Sequence, residues 1–209
     1  MPTNRVRATY ILRQADIKGL KDLVLAKKPG LFQVSSFIVT VSYVWTCFVK
    51  SGKQVDDDVM EFFIFMADIR ARVDPPVPAK YFGNCLGYAW ANIKHKQLVG
   101  EEGFVAAAEA IADQIINRVN KKDEMLKGVE NWLSETEKLA ATRLLSVSGS
   151  PKFDLFNADF GWGRARKMEV VSIDGEVCYV FVQVKGFRGR IGGWFVFAQG
   201  KNGSFRSYL

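Results

Sequence analysis

Residues 31–49 form a run of nineteen residues without a charge, bounded by Lys28 on one side and Lys50 on the other. A run of that length has two homes, the core of a bilayer or the interior of a globular domain. Six of the nineteen are polar, Gln33, Ser35, Ser36, Thr40, Ser42 and Thr46, and each raises the cost of insertion into lipid. A helix capped by Ser35 or Ser36 and buried in a globular domain tolerates them, because hydroxyls bond to nearby backbone groups. The expectation is a buried helix over residues 36–50 inside a domain large enough to surround it. With 209 residues, 48% of them hydrophobic and 13% aromatic, the chain has the material for such a core. Intrinsic disorder and a disulfide-built miniature fold are excluded.

The remaining pattern supplies the surroundings. Residues 5–12 alternate as a strand, with Val6, Ala8, Tyr10 and Leu12 on one face. Residues 16–27 have the apolar spacing of a helix, with Ile17, Leu20, Leu23, Val24 and Ala26 inward and Pro29-Gly30 as the stop. Residues 62–69 and 86–93 read as buried strands, and 104–120 as a long helix with Lys121 and Lys122 at its negative end. Residues 124–141 read as a second, more polar helical stretch. From Arg143 onward glycine, serine and aromatics dominate, and residues 170–173, 177–184 and 194–198 read as strands. Mixed strands and helices followed by strands predict an α+β layered domain with a mostly antiparallel or mixed sheet.

The charge is +7, and it is uneven: residues 1–30 hold 7 basic and 2 acidic side chains, residues 31–150 hold 13 and 15, residues 151–209 hold 9 and 5. Basic ends suit a polyanion, yet without dense Lys/Arg runs or interleaved aromatics a nucleic-acid interface is not expected. Cys47, Cys85 and Cys178 cannot all pair and have no metal-ligand spacing, so free thiols, no metal site and a cytoplasmic setting are expected. The charged, alternating start does not resemble a secretory leader.

Catalytic groups are few. His95 is the only histidine, set between Lys94 and Lys96 with no carboxylate beside it in sequence, and reads as a solvated surface residue. Asp56, Asp57 and Asp58 read as a solvated loop, and no Walker loop or dinucleotide fingerprint is present. Arg70 and Arg72, two apart at the end of a strand, are expected on one side of it, where guanidinium groups suit phosphate. Tyr81-Phe82-Gly83-Asn84-Cys85 reads as an aromatic loop. Asp159-Phe160-Gly161-Trp162-Gly163 reads as a tight turn with Trp162 inward and the backbone close to a neighbour.

In this order, these pieces resemble a known family. The chain is similar to the carboxy-terminal half of plant BAHD acyl-CoA-dependent acyltransferases, whose signature DFGWGKP is matched by Asp159, Phe160, Gly161, Trp162 and Gly163, with Arg164 for Lys and Ala165 for Pro. YFGNC at residues 81–85 is typical of the branch that acylates anthocyanin and other flavonoid glucosides, often with malonyl-CoA. VRATYILRQADI, SSFIVTVSYVWTCFVK, ADIRARVDPPVPAKYFGNC and SVSGSPKFDLFNADFGWGR carry the likeness from Val6 to about Asp174. Beyond Val177 the basic, glycine-rich stretch departs from it.

The resemblance implies a chloramphenicol acetyltransferase-like half: residues 1–209 as a single domain equivalent to the carboxy-terminal domain of a two-domain enzyme. The family's catalytic histidine belongs to His-x-x-x-Asp in the other half; His95 is followed four positions later by Val99, so the chain is expected to be inactive alone and to pair with an amino-terminal half. It also implies acyl-CoA, malonyl-CoA foremost, as co-substrate, with no permanently bound cofactor, and a phenolic glucoside as acceptor. Lys28, Ser35, Ser36, Arg70, Arg72 and Asn84 become candidates for holding CoA, and Ser146 and Ser148 for the acceptor side. Tyr81, Gly83, Asp159, Gly161, Trp162 and Gly163 become motif residues that shape the domain. The alternative is a non-catalytic module that binds CoA esters. An isolated half is expected to self-associate through the surface its partner would cover.

Overall fold

A computed structural model describes residues 5–31, 34–140, 142–148, 158–164, 178–184 and 193–201; for residues 5–9, 140, 148, 178–184 and 193–201 the backbone alone is described. The uncharged run becomes α2 (Ser36–Ser51), a sixteen-residue helix with ten buried side chains. Ser35 caps it, its hydroxyl accepting from the amide of Ile38 at 3.2 Å. Thr46 donates to the carbonyl of Ser42 at 2.9 Å, the back-bonding that lets a hydroxyl sit inside a helix. Among the described residues no helix is long and apolar enough to cross a membrane.

Burial of α2 requires cover on both sides. On one side lie α1 (Gln14–Lys27), α3 (His95–Val99) and α4 (Gly103–Gln114). On the other lies a six-stranded sheet of β1 (Arg5–Arg13), β2 (Met60–Asp68), β3 (Leu86–Lys94), β4 (Arg143–Ser148), β5 (Cys178–Val184) and β6 (Gly193–Lys201), in the order β1-β6-β5-β4-β2-β3. β2 pairs antiparallel with β3 and parallel with β4, β4 pairs parallel with β5, and β6 pairs antiparallel with both β5 and β1. The mixed α+β layering read from the sequence is the architecture observed. The expected strand over residues 170–173 lies outside the described residues.

Alternation along β2 and β3 divides the side chains between two layers. Phe63 and Phe65, with Ala89, Ala91 and Ile93, join the main core against α2; Trp45 packs on Phe63 at 5.5 Å and Phe37 on Phe65 at 5.7 Å between ring centroids. Ile64 and Tyr88 face the opposite layer, where α5 (Trp132–Ala140) covers them with Trp132 and Leu139. The stretch expected to be helical over residues 124–141 is in fact two short 3-10 turns followed by α5. The long helix over 104–120 is α4 continued by a π-helical turn at Ile115–Val119, which places the Arg118 guanidinium 4.6 Å from the centre of the Trp90 ring. In α1 Ile17 and Val24 are fully buried and Leu20 packs partly buried against the core, while Leu23 faces solvent.

Gly103 opens α4 where a Cβ would lie 2.0 Å from the Leu98 carbonyl oxygen, whereas nothing stands within 4 Å of one at Gly19 in α1. Gly103→Ala is expected to cost about 1–3 kcal/mol, and Gly19→Ala to stabilise the chain by about 0.5–1 kcal/mol. Thermal unfolding of both variants checks this; equal effects of the same sign would contradict the packing described.

Candidate functional site

The Phe37–Phe65 and Trp45–Phe63 contacts show that α2 runs antiparallel to β2. The amino terminus of α2 therefore lies at the Asp68 end of the sheet, together with residues 69–85 that link β2 to β3. Because β2 and β4 are parallel, with Phe65 beside Val147, Ser146 and Ser148 approach that end as well. Thus the fold gathers Ser35, Ser36, Arg70, Arg72, Tyr81, Gly83 and Asn84 at one end of the domain. Lys28 is tied to Glu109 of α4 at 2.9 Å.

Several of these groups are already engaged. The Ser35 hydroxyl serves the helix cap, and the amides of Ser36 and Phe37 precede the first intrahelical acceptor, as at any helix start. Arg70 and Arg72 are not on a strand, because β2 stops at Asp68; they turn back on it. Arg70 grips the Asp68 carboxylate through Nε at 3.0 and 3.2 Å and Nη2 at 2.8 Å, and donates to the Ala79 carbonyl at 3.3 Å. Arg72 donates to the Asp68 backbone carbonyl, a neutral acceptor, and its charge reaches the Asp68 carboxylate only through space, as a minor contribution beside that of Arg70. Of the two arginines, Arg72 is the better equipped to meet a phosphate. Hydrogen bonds from the Arg70 guanidinium, and then from its amide, hold the Asp68 carboxyl at about 2.

Tyr81, Phe82, Gly83 and Asn84 are exposed. A Cβ at Gly83 would fall 2.2 Å from the Tyr81 hydroxyl oxygen, so glycine allows the Tyr81 ring to lie across the loop. Ser146 is half-buried on β4, and the side chain of Ser148 lies outside the described residues.

The DFGWG turn corrects the expectation made for it. Trp162 is 93% exposed and Phe160 82%, so the indole points outward. The turn is held by the Asp159 carboxylate, whose Oδ1 accepts from the amides of Gly161 at 2.8 Å and Gly163 at 3.0 Å. Gly161 and Gly163 have φ of 93° and 91° with open space beside them. The glycines are there for the left-handed backbone, and among the described residues no neighbour stands within 4 Å of a Cβ at either.

At the other end of the sheet His95 also departs from expectation: it is buried, 5% exposed. Its Nδ1 lies 2.7 Å from Glu61 Oε1, which accepts also from Arg143 Nε at 2.6 Å. Glu61 pairs with Ile93 on β3 and with Arg143 on β4, and strand pairing brings together three groups far apart in sequence. One signal was readable: Glu61 is the single charge at an inward position of MEFFIFMA, in phase with Phe63 and Phe65, and a buried carboxylate requires partners. Its partners are structural, and the Nδ1 of His95 is spent on a carboxylate inside the fold.

Comparison with known proteins decides the family. The Transferase family profile matches residues 3–185. This chain belongs to that family. It is 51% identical over 176 residues to malonyl-coenzyme:anthocyanin 5-O-glucoside-6'''-O-malonyltransferase of Salvia splendens, a match covering 84% of this chain and 37% of that protein. It is 48% identical over 180 residues to phenolic glucoside malonyltransferase 1 of Nicotiana tabacum, covering 84% and 39%. The chain thus spans well under half the length of these curated transferase relatives. Among solved structures its fold resembles vinorine synthase, with TM-score 0.75 at 15% identity over 99% of this chain and 46% of that one. It also resembles F. graminearum TRI101 complexed with coenzyme A and deoxynivalenol, with TM-score 0.73 at 14% identity over 99% and 47%. The family resemblance read from the motifs is borne out, and so is the α+β class.

Two predictions follow from the two ends of the sheet. Glu61→Ala leaves Arg143 and His95 without their acceptor and is expected to cost about 3 kcal/mol, against less than about 0.5 kcal/mol for Glu101→Ala on the surface; denaturant unfolding that finds equal costs would remove Glu61 from this role. Asp68 has a folded-state pKa below that of a free carboxyl, so its contribution is complete above about pH 4 and fades as pH falls toward about 2. Both partners are partly exposed, which limits the contribution to under about 1 kcal/mol. Asp68→Asn should therefore lower Tm near neutral pH by a margin that shrinks under acid; a pH-independent margin would contradict the pairing.

Proposed function

We propose that this chain is the CoA-holding part of an acyl-CoA-dependent O-acyltransferase, equivalent over residues 1–209 to the carboxy-terminal domain of its full-length relatives. The full enzyme moves an acyl group, malonyl foremost and hydroxycinnamoyl as the other candidate, to a hydroxyl of an anthocyanin, flavonoid or related phenolic glucoside in the cytoplasm. The observation that carries this reading is the 51% identity to the Salvia splendens malonyltransferase across most of this chain.

In the reaction the acceptor hydroxyl loses its proton to a general base, its oxygen bonds to the thioester carbonyl carbon, and the carbon–sulfur bond breaks, releasing CoA as a thiol once it regains a proton. His95, the one histidine of the sequence, is buried with its Nδ1 against Glu61. The base is accordingly assigned to the amino-terminal polypeptide. This chain contributes binding. Phosphates are proposed to meet Ser35, Ser36 and Arg72 at the Asp68 end, with Lys28 and Arg70 as further charge and Asn84 toward the pantetheine arm; Ser146 and Ser148 are assigned to the acceptor side. Asp159, Gly161, Trp162 and Gly163 form a structural turn, and Tyr81 and Gly83 shape the loop above Asn84.

The test pairs this chain with an amino-terminal polypeptide carrying His-x-x-x-Asp and supplies malonyl-CoA and a phenolic glucoside. The pair should yield the malonylated glucoside by mass spectrometry while this chain alone yields none; association without transfer would defeat the proposal. Calorimetry of the chain alone with CoA separates the second reading, since a CoA-ester-binding module binds without any partner.

A further inference from the structure

Beneath α5 lies a second, small apolar cluster, separate from the core around α2. Its buried members are Ile64 and Tyr88 of the β2–β3 ribbon and Leu139 of α5, with Trp90 and Trp132 packed at its margin. Of the described side chains of α5 only Leu139 is buried; Trp132 is half-buried and Leu133 is 75% exposed. A helix of nine residues does not hold its own shape in water, so α5 depends on these few contacts.

The helix is fastened to the ribbon by the Tyr88 hydroxyl, which donates to Glu135 Oε2 at 2.8 Å. Burial, and after it this bond, push the Tyr88 hydroxyl up to about 12, so the group remains a donor at neutral pH. The Trp132 ring meets that of Tyr88 edge-on, with centroids 4.9 Å apart. The closed arrangement also carries a cost. Trp132 Nε1 and Arg118 Nε are buried without a hydrogen-bond acceptor among the described residues, and the Arg118 guanidinium lies over the Trp90 ring instead. Buried donors without acceptors destabilise the arrangement that encloses them.

Fixed points bound this segment on both sides. Before it, Met125 is 1% exposed and packs on Gly87, where a Cβ would fall 2.6 Å from the Met125 Cε. After it, Arg143 opens β4 beside Glu61 and bonds to it. Between Met125 and α5 stands Gly128, at φ 74° with nothing within 4 Å of a Cβ, followed by the 3-10 turn Val129–Asn131, which buries no side chain. We propose that residues 129–140 form a strap that opens as one unit about Gly128 when the Tyr88–Glu135 bond parts. Opening uncovers the Tyr88 and Trp90 rings, stacked 5.4 Å apart, while β2 and β3 stay paired, because Phe63, Phe65, Ala89 and Ala91 belong to the core on the other layer.

The test is native-state hydrogen exchange of the full chain, followed residue by residue. The helix-bonded amides of residues 136–140 should exchange with one common protection, at least about a hundredfold below that of the amides of α2. Tyr88→Phe removes the fastening and keeps the ring; it should speed exchange at residues 136–140 about fivefold and leave α2 unchanged. If that variant does not fold, the wild-type pattern decides alone. Equal protection of α5 and α2, whether high or low, would overturn the strap, as would a gradient of rates running from one end of α5, which is the mark of fraying. A folded Tyr88→Phe chain with unaltered exchange in α5, or with α2 and α5 altered alike, would overturn the fastening at Glu135.

Discussion

The burial of α2 is the constraint on which the domain depends. A helix with ten of sixteen side chains removed from water needs cover around most of its circumference, and a single layer cannot supply it. The sheet takes the side of Trp45 and Phe37, and α1, α3 and α4 take the other. Uncharged residues are what make such a position possible, and the Thr46 hydroxyl is accommodated by a bond to the helix's own backbone. The direction of α2 against β2 then decides which loops share an end of the domain, and so which polar groups can act on one ligand.

The two ends handle charge in opposite ways. At the start of β2, Glu61 lies within the core and is tolerated because His95 and Arg143 both donate to the same oxygen; removing either partner exposes the desolvation cost of the carboxylate. At the finish of β2, Asp68 lies near water and organises a loop by holding Arg70 through its carboxylate and Arg72 through its carbonyl. The first arrangement joins three strands or their ends and belongs to stability. The second leaves the Arg72 guanidinium on a neutral carbonyl acceptor, at the same end of the domain as the amino terminus of α2.

The sequence was legible where a pattern is local. The apolar runs of β2 and β3 and the apolar spacing of α1 and α4 were readable to within a few residues, because composition, period and capping are properties of neighbours along the chain. The motif YFGNC and the run DFGWG identified the family for a similar reason, since they are short stretches of unusual composition. The candidate site was legible in part: a cap at Ser35 or Ser36 was recognisable, but that Ser35 fills the role with its hydroxyl engaged by Ile38, and that Arg70 is engaged by Asp68, was not.

What the sequence by itself determined is the layered α+β class, the buried uncharged helix and the membership of the transferase family. Tertiary structure alone decided three matters. His95, flanked by lysines, is internal because β2 lies beside β3 and carries Glu61 to it. Trp162 points outward because the turn is closed by Asp159 bonding to two glycine amides, which places no demand on the indole. Arg70 and Arg72 converge on one residue because the strand ends at Asp68, and where a strand ends its two-residue periodicity no longer governs direction. In each case the deciding partner is fixed by strand pairing or by a change of backbone direction, and neither is encoded in the spacing of the residues themselves.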